Sequence, residues 1–543
     1  MKNFIKAIIC AVVMAGFTGC FNDLNNPPID PNVVMDFDQD AVFVKIYATL
    51  GLSGQQGPDG SGDVDGIDEG TSAFYRMTWS LNEFSADGIW WVWADVGVVN
   101  IRDMSWNSSN DLVVGLYYRL YFDITLCNFF LKETEGKTDD KTLRQRAEVR
   151  FMRALNYYYL LDMYGEGVPF ADQISYELPV PKDKLPQPIS RKNLYTWIES
   201  ELVEIEPLVF ADGTKTGYYR ADQVAVWLLL SRLYLNAEVY TGTADWNNAA
   251  LYAGKVMNSS YKLAPEYKHL FMGDNDNLSS VNQASQEIIL PIAQDGIQTR
   301  CWGGSMFLIA ASHQNGMNYW GISSQWECMR AKATLVQKFF PDLGIAATIQ
   351  GDESTLPTAA SDDRCLLVNH IASTGYDATL EGGAQNGTAS FRQGWGLAKF
   401  TNVYASGDVP HHTEWPDMDI PFMRAAEAYL TYAEAVFRGG AATNGTALDA
   451  INALRNRANA VAWTGGDVTL DNIIDEWARE FYAEGRRRSD LVRFNKFAGA
   501  AGYNWEGKGG TAGGKNVDEK YNIFPIPYSD LVANENLSPS EGY

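Results

Sequence analysis

The chain has 543 residues, of which 46% are hydrophobic and 20% charged, a balance typical of a globular protein rather than a disordered one. This length exceeds what one small core can organise, so one large layered domain or several sub-cores are expected. The formal net charge is -24, and no basic patch interrupts it, which excludes nucleic acid as the expected partner.

The first 19 residues have the pattern of a secretory signal peptide. Lys2 and Lys6 precede an apolar run, residues 7–17, that is too short to span a bilayer as a permanent helix. The sequence FTGC that follows resembles a bacterial lipobox with Phe in place of the usual Leu. We expect Cys20 to be the lipidated first residue of the mature chain and residues 20–35 to form a tether; the alternative is an ordinary signal peptide with a coincidental cysteine.

Residues 36–543 are predicted to form a single domain that carries two irregular insertions, at about 51–115 and 265–415. Both are rich in Gly, Asn, Ser, Asp and aromatic residues and show little helical periodicity. In the first, GIWWVW places Trp90, Trp91 and Trp93 together, which suggests a flat surface for a ligand, since aliphatic residues fill a core more easily. In an extended segment Trp91 and Trp93 share a face; in a helix Trp90 and Trp93 do.

Apolar periodicity predicts a mostly α-helical scaffold. The helices are expected at 142–167, 192–209, 220–240, 246–259, 420–438, 446–459 and 470–497. Two helix pairs, at 220–259 and 420–459, match the pattern of tetratricopeptide-type repeats. They are too far apart in sequence for one uninterrupted array, so the prediction is a helix-pair scaffold interrupted by long insertions.

The second insertion adds two tryptophans in polar settings, Trp302 in CWGGS and Trp326 in SSQWECM. A single tryptophan of this kind more often belongs to the core. Several such loops in an exported protein favour carbohydrate binding, because the apolar faces of pyranose rings stack on indole. If each sugar covers about 60 Å² of ring, three rings contribute on the order of 4 to 5 kcal/mol at roughly 25 cal/mol per Å².

The motif MGDNDN offers Asp274 and Asp276 as hard oxygen ligands, with Asn275 and Asn277 beside them. With the distant loop PDMD, residues 416–419, it could hold a structural calcium ion, and the alternative is a solvated polar turn. No cofactor is required by any other motif. The chain lacks HExxH, a Walker loop and GxSxG after a strand, and it has only five histidines, so an enzyme is not expected.

Four cysteines remain after the expected processing: Cys127, Cys301, Cys328 and Cys365. They allow three complete disulfide pairings, and their spacing selects none of them. Cys301 and Cys328 each lie within two positions of a tryptophan from the second insertion. A disulfide between them could pin the two aromatic loops together; the alternative is buried free thiols.

Several segments together resemble the SusD/RagB family of outer-membrane nutrient-binding lipoproteins, from Cys20 to the C-terminus. They include RAEVRFMRALNYYYLLDMYG, the helix pair at 220–259, IPFMRAAEAYLTYAEAVFR, DEWAREFYAEGRRRSDLVRF and IFPIPYSDLVANENLSPSEGY. Loops such as DGIDEGTSAFYRMTW and QEIILPIAQDGIQTR are most similar to the family's starch-binding member. The resemblance implies a cell-surface, lipid-anchored protein of the outer membrane that captures α-1,4-glucans and passes them to a SusC-like TonB-dependent transporter.

The resemblance also implies site residues. Trp93, Trp302 and Trp326 fall where an arc of aromatic rings contacts starch or maltooligosaccharides, and Trp91 and Arg76 fall where flanking contacts are expected. Asn100 is a candidate for an amide that helps to hold the sugar. Three alternatives remain: the same fold binding another glycan, a surface glycoside hydrolase with two carboxylates near the arc, and a peptide-docking adaptor that uses the concave face of the helix pairs.

Overall fold

The structure is a computed structural model that describes residues 37–543 except 59, 175–179, 278, 280, 314–316, 318–319, 350, 370–394 and 512. The predicted signal peptide, the lipidation site at Cys20 and the tether lie outside the described residues. Contacts divide the chain into a first unit, Met1–Val42, and a second, Phe43–Tyr543. Among the described residues, no helix is long and apolar enough to cross a membrane.

Helices dominate the described residues, and the strands are short. The helices are α1 (Gln39–Ala48), α2 (Phe74–Phe84), α3 (Val98–Arg102), α4 (Asp111–Glu133), α5 (Asp140–Met163), α6 (Arg191–Ile205), α7 (Gln223–Leu235), α8 (Ala237–Thr241), α9 (Trp246–Met257), α10 (Ser305–Ser312), α11 (Ala333–Phe339), α12 (Leu343–Thr348), α13 (Thr355–Ala360), α14 (Ala426–Phe437), α15 (Ala447–Arg457), α16 (Leu470–Phe481), α17 (Arg487–Arg493) and α18 (Tyr528–Ala533). The strands pair antiparallel in twos: β1 (Ile89–Trp91) with β5 (Met329–Ala331), β2 (Pro169–Phe170) with β3 (Gln187–Pro188), β4 (Ile288–Ile292) with β8 (Ile420–Arg424), and β6 (Leu367–Val368) with β7 (Gly396–Leu397).

The predicted helix pairs are present, and they pack on each other. α7 packs against α9, α9 against α14, and α14 against α15, so the two pairs are neighbours despite their separation in sequence. The buried face of α9 consists mainly of small residues, including Ala249, Ala250, Ala253 and Gly254. Small side chains allow helix axes to approach closely, which explains how α9 packs against both α7 and α14. The mostly helical fold with helix pairs is thereby confirmed.

The predicted helix starts are explained by side-chain caps. The Asp139 carboxylate accepts the N–H of Thr142 at the start of α5, and Asp222 accepts that of Ala225 at the start of α7. α5 ends at Met163, four residues before the predicted end, and Gly165 just beyond it has φ +75°, a conformation that other residues rarely adopt.

Two predicted helices differ from the structure. Residues 420–438 begin as strand β8 before α14, because the apolar run IPFM pairs with β4 inside the core, where periodicity does not separate strand from helix. Residues 470–497 are broken between α16 and α17, where Ala483 and Gly485 have φ values of 58° and 77°. The buried Glu83 carboxylate accepts the N–H groups of Gly485 and Arg486 at 2.9 and 3.2 Å, so a distant residue stabilises the break.

The helices α1, α2 and α4 were not predicted, nor were the shorter helices α3, α10, α11, α12, α13 and α18. All eleven side chains of α2 are buried, among them the polar Arg76, Ser80 and Glu83, so this helix has no solvent-exposed face. α2 packs against α4, β1 and α17, and it therefore lies at the centre of the region that the two insertions surround.

Arg424, at the end of β8, joins the strand to α16 through a buried ionic cluster. Its guanidinium donates to Glu287 at 2.9 Å, to Glu480 at 2.7 Å and to Glu484 at 2.8 Å, and its carbon lies 3.9 Å from the centre of the Phe481 ring. Arg424, Glu287 and Glu480 are essentially inaccessible to solvent. Each charge is therefore compensated only while its partners remain in place.

Candidate functional site

The β1–β5 ladder brings the tryptophan loops of the two insertions together. Trp91 pairs with Met329, and the N–H of Val92 donates to the carbonyl of Cys328 at 2.8 Å. Trp93 lies two residues after Trp91, the end of β1, and Trp326 lies three residues before Met329, the start of β5. Antiparallel pairing therefore holds two loops that are distant in sequence at one end of the same two-stranded ladder.

Trp93, Trp326 and Trp302 form a contiguous row of half-buried indoles, here called the tryptophan row. The ring centroids of Trp93 and Trp326 are 5.8 Å apart with the planes inclined by 31°, and those of Trp326 and Trp302 are 6.1 Å apart with an inclination of 38°. Neighbouring rings are thus tilted against each other rather than coplanar. Each of the three residues keeps part of its surface open to solvent.

Trp302 owes its position to the glycines that follow it. A Cβ on Gly303 would lie 2.4 Å from the Cβ of Ala73, and a Cβ on Gly304 would lie 2.3 Å from the side-chain oxygen of Gln294. Glycine at position 303 therefore allows CWGGS to pack this closely against Ala73, just before α2, whereas the flexible Gln294 side chain could move away from a Cβ at position 304. The indole N–H of Trp302 donates to the carbonyl of Pro58 at 3.1 Å, which orients the ring.

Trp415 supports the end of the tryptophan row, and sequence reasoning missed it. It is buried, and its ring centroid lies 4.7 Å from that of Trp302. The turn that carries it is held by Nδ1 of His412, which accepts the N–H groups of Glu414 and Trp415 at 3.0 and 3.2 Å. No local signal separates this tryptophan from any other, because its contact partner comes from a distant loop.

Arg76 lies on α2 beneath the tryptophan row. Its Nη1 donates to the carbonyls of Gly70 at 2.8 Å and Trp302 at 3.2 Å, and its guanidinium carbon lies 5.7 Å from the centre of the Trp326 ring. The side chain is 9% exposed, and burial lowers its pKa from the ordinary value. Within the described residues, no carboxylate forms an ion pair with it.

The remaining predicted site residues have other positions. Trp91 is 2% exposed, and its ring lies edge-on to that of Trp93, so it supports the row from below. Trp91 and Trp93 are thus on the same face, as the extended alternative predicts. Trp90 is buried between Arg102 and Lys332. Asn100 lies on α3, exposed, and donates to Ser105.

A cleft of about 630 Å³ adjoins Trp93 at one end of the row. Its volume is within the range of small-molecule sites. The walls combine apolar and charged side chains, among them Trp93, Trp91, Arg76, Asp68, Asp95 and Asp111. Asn100 is not among the residues that line it. The three aspartates were not predicted, because a single sequence with many acidic residues does not indicate which of them meet.

The loops MGDNDN and PDMD do come together, as the calcium hypothesis requires. Asn275 bonds to both the N–H and the carbonyl of Asp419. Asp274 is buried, and its carboxylate accepts N–H groups from Asn282, Ala405 and Ser406. Over the described positions, no group of three or more His, Cys, Asp or Glu side chains is already arranged to hold a metal ion.

One buried carboxylate in the PDMD loop is only partly satisfied, because Oδ1 of Asp419 accepts the N–H of Gln294 at 2.7 Å while its other oxygen has no partner among the described residues. Asp419 is inaccessible to solvent, and its Oδ2 has no hydrogen-bond partner in the described part of the chain. Burial raises the pKa of Asp419 well above its usual value, and the nearby charges of Asp276, Asp295 and Asp417 raise it further. Such an orphaned oxygen among carboxylates fits a cation as its missing partner.

The hypothesised disulfide is absent. Cys127, Cys301, Cys328 and Cys365 are all buried free thiols. The Cys301 sulfur instead lies 3.4 Å from the hydroxyl oxygen of Ser53 and accepts the N–H of Gly303 at 3.2 Å. The β1–β5 ladder and the packing of Trp302 hold the aromatic loops together without a covalent link.

Comparison with known proteins identifies the family. The chain is 44% identical, over 569 aligned positions, to the starch-binding protein SusD of Bacteroides thetaiotaomicron, with 100% of this chain and 99% of that protein covered. The chain belongs to the SusD family. The model described as "SusD family" matches residues 368–543, and the model described as "Starch-binding associating with outer membrane" matches residues 74–235.

Solved structures of the SusD superfamily share this fold. A superfamily protein from Parabacteroides distasonis has a TM-score of 0.65 at 19% identity, covering 94% of this chain and 100% of its own. The surface glycan-binding protein A of Bacteroides thetaiotaomicron, in complex with laminarihexaose, has a TM-score of 0.64 at 19% identity, covering 92% of this chain and 98% of its own. These solved structures establish the fold. Together with the 44% identity to a starch-binding protein, family membership makes the chain a glycan-binding SusD-family protein rather than an enzyme.

Proposed function

We propose that this SusD-family protein captures α-1,4-glucans, starch and maltooligosaccharides, on the tryptophan row at the cell surface. The observation that carries the proposal is the row itself: three half-buried indoles with centroids 5.8 and 6.1 Å apart, held by a strand ladder and by the close packing of Gly303. The 44% identity to a starch-binding protein supports the α-glucan as ligand. Arg76, with only Nη1 bonded to protein, can donate further hydrogen bonds to sugar oxygens.

The tilt between neighbouring rings supports a curved ligand. A helical α-glucan presents successive sugar faces at changing angles, so each ring in an inclined row can meet a different sugar. A flat chain would contact fewer of the three rings. Three stacked sugars give dissociation constants from about 1 mM down to tens of micromolar, once the loss of rotational and translational freedom is included.

A second glycan class also has support, because solved relatives bind laminarin or laminarihexaose. Those relatives are only 19% and 20% identical to this chain, so they establish the fold rather than the ligand. The experiment must therefore compare the two sugars directly.

The same proposal includes location and partner. Lipidation at Cys20 would anchor the protein to the outer membrane, and the captured glucan would pass to a SusC-like TonB-dependent transporter. The match to a family model described as associating with the outer membrane supports this placement. We further propose that a structural calcium ion, held by Asp274, Asp276 and the loop that contains Asp419, would compensate the buried carboxylates there without any part in chemistry.

The test is isothermal titration of the protein beginning at residue 21 with maltoheptaose and with laminarihexaose. We expect binding of maltoheptaose only, and its weakening by up to about 10-fold in Trp302→Ala. Trp463→Ala is the matched control, because Trp463 is also half-buried but lies after α15 and against Arg455. Binding of laminarihexaose alone would reassign the ligand, and silence with both sugars would refute glucan capture on this row.

A further inference from the structure

A second pocket, here called the α13 pocket, lies in the second insertion and is separate from the tryptophan row. Its volume is about 450 Å³, within the range of small-molecule sites. It is lined by parts of residues 266–268, 353–358 and 398–403, together with Met272, Trp320 and Leu366. None of these residues belongs to the row or lines the cleft beside Trp93. The α13 pocket is therefore a second candidate site, and the function proposed above does not use it.

The wall of the α13 pocket is largely apolar. Leu366, Pro357 and Val403 contribute aliphatic surface, and Trp320 contributes part of an indole. The Trp320 ring is held in place because it stacks on the His313 ring, with centroids 5.8 Å apart and planes inclined by 23°. An apolar wall of this kind suits the C–H face of a pyranose, which is flat and apolar.

Trp320 also has an unused hydrogen-bond donor. The residue is only 3% exposed, and its indole N–H donates to no atom in the part of the chain that the structure describes. A buried indole N–H at the wall of a pocket requires an acceptor from water or from a bound molecule. This donor points to a ligand independently of the pocket's volume.

The hydroxyl groups that line the α13 pocket offer acceptors rather than donors. Ser354 donates its hydroxyl proton to the carboxylate of Asp352 at 2.6 Å, and Thr358 donates to the carbonyl of Ser354 at 2.8 Å. Their oxygens keep lone pairs that can accept further hydrogen bonds. A ligand that also donates, such as one bearing hydroxyl groups, can use them.

The charged residues define the ligand class further. Glu266 and Lys268 are exposed at the rim, one as an acceptor and one as a donor, and Glu353 and Asp363 add carboxylates. The three carboxylates disfavour an anion, and Lys268 disfavours a cation. A neutral polyol satisfies both kinds of group, because each hydroxyl both donates and accepts. Together with the apolar wall, this describes a neutral saccharide.

We propose that the α13 pocket is a second carbohydrate site, which binds a short stretch of neutral saccharide through Trp320, the hydroxyls of α13 and the rim pair Glu266 and Lys268. The inference rests on the proposed function, since the saccharide is the α-glucan that the row captures. A long glucan that reaches both sites is held more tightly than a short one that reaches only one, because the second contact becomes intramolecular.

The test is equilibrium dialysis of the protein beginning at residue 21 against millimolar maltotriose. At saturation we expect two bound molecules in the unaltered protein, one in Thr358→Trp, which fills the exposed mouth of the pocket, and one in Trp302→Ala with Trp326→Ala. Thr196→Trp is the matched control and should bind two. Thr196 is also an exposed helical threonine whose hydroxyl donates to the carbonyl four residues earlier.

A second variant tests the rim without filling the pocket. Glu266→Ala with Lys268→Ala should raise the dissociation constant of the second site about 2- to 10-fold, as for the loss of ordinary hydrogen bonds. Glu135→Ala with Lys137→Ala is its control, because these residues have the same spacing and are exposed between α4 and α5. The control should leave both sites unchanged.

The variants separate this inference from capture on the row. A single bound maltotriose that is lost in the double tryptophan variant and kept in Thr358→Trp would overturn the second site and leave the row intact. The reverse pattern would support the α13 pocket and overturn the row. No bound maltotriose in the unaltered protein would overturn both.

Discussion

The Arg76 guanidinium carbon lies 5.7 Å from the centre of the Trp326 ring, so a buried cation supports the central ring of the tryptophan row. The same side chain bonds to the carbonyl of Trp302. One arginine thereby links two loops of the second insertion to α2. Substitutions in the Trp302 loop and in the Trp326 loop should therefore have non-additive effects on stability or binding, because both loops contact this arginine.

Trp326→Ala should weaken maltoheptaose binding more than the loss of either outer ring. The central indole contacts both neighbours, so its removal interrupts the row and takes away about 1.5 kcal/mol of stacking, which is about 10-fold in the dissociation constant. Isothermal titration of Trp326→Ala, Trp93→Ala and Trp463→Ala measures this order. A larger effect of Trp93→Ala than of Trp326→Ala would contradict a continuous row.

Calcium should raise the thermal unfolding midpoint of the unaltered protein and leave that of Asp419→Asn unchanged. The variant removes the buried charge that a cation would compensate, so without calcium it should be at least as stable as the unaltered protein. Binding to the folded state contributes about 1 to 3 kcal/mol when calcium is in large excess over its dissociation constant. Differential scanning calorimetry with calcium, magnesium or a chelator checks this. An equal rise of the unfolding midpoint in both proteins would exclude Asp419 as part of the calcium site.

The stability of the Glu83→Gln variant relative to the unaltered protein should increase as pH rises. Burial raises the pKa of Glu83 to about 7, above the unfolded value near 4.3, so the folded state binds more protons between these two pH values. The free energy of unfolding therefore falls in this window as pH rises. Glutamine does not titrate, so it removes this pH-dependent loss, and it can still accept the N–H of Gly485. The free energy of unfolding of the variant, relative to that of the unaltered protein, should therefore be higher at pH 8 than at pH 4 by on the order of 1 to 3 kcal/mol.

Urea unfolding of Glu83→Gln at pH 4, 6 and 8 measures this dependence, with the exposed Glu541→Gln as its control. A stability difference between Glu83→Gln and the unaltered protein that stays constant over these three values would show that the carboxyl at position 83 does not titrate in this range.

Arg424→Met should destabilise the protein by up to about 3 to 5 kcal/mol, because it removes a buried cation that Glu287, Glu480 and Glu484 share. Arg457 still pairs with Glu287 and Glu480, and Lys399 still pairs with Glu484, which limits the loss. Lys496→Met is the comparison, since Lys496 pairs with an exposed Asp471 and such surface pairs contribute about 0 to 1 kcal/mol. Denaturant unfolding compares the two variants. Similar losses in both would mean that burial does not set the strength of the Arg424 cluster.

The helical scaffold could be predicted because its signals are local. Caps such as Asp139 and Asp222, and apolar positions three or four residues apart, indicate a helix from a short window of sequence. The same windows misassigned residues 420–424, where an apolar run is buried on both sides and carries no period. They also missed α2, whose polar side chains are buried together with its apolar ones.

The candidate site depends on which distant loops meet, and no local window contains that information. The sequence by itself determined the SusD-family scaffold and the tryptophans in its two insertions. The tertiary structure decided that Trp93 and Trp326 become neighbours through the β1–β5 ladder, that Trp91 and Trp415 become buried supports, and that Asp68 and Asp111 share a cleft. Helical periodicity depends on residues that are close in sequence, whereas strand register, burial and charge pairing depend on residues that are distant in sequence and meet only in the folded protein.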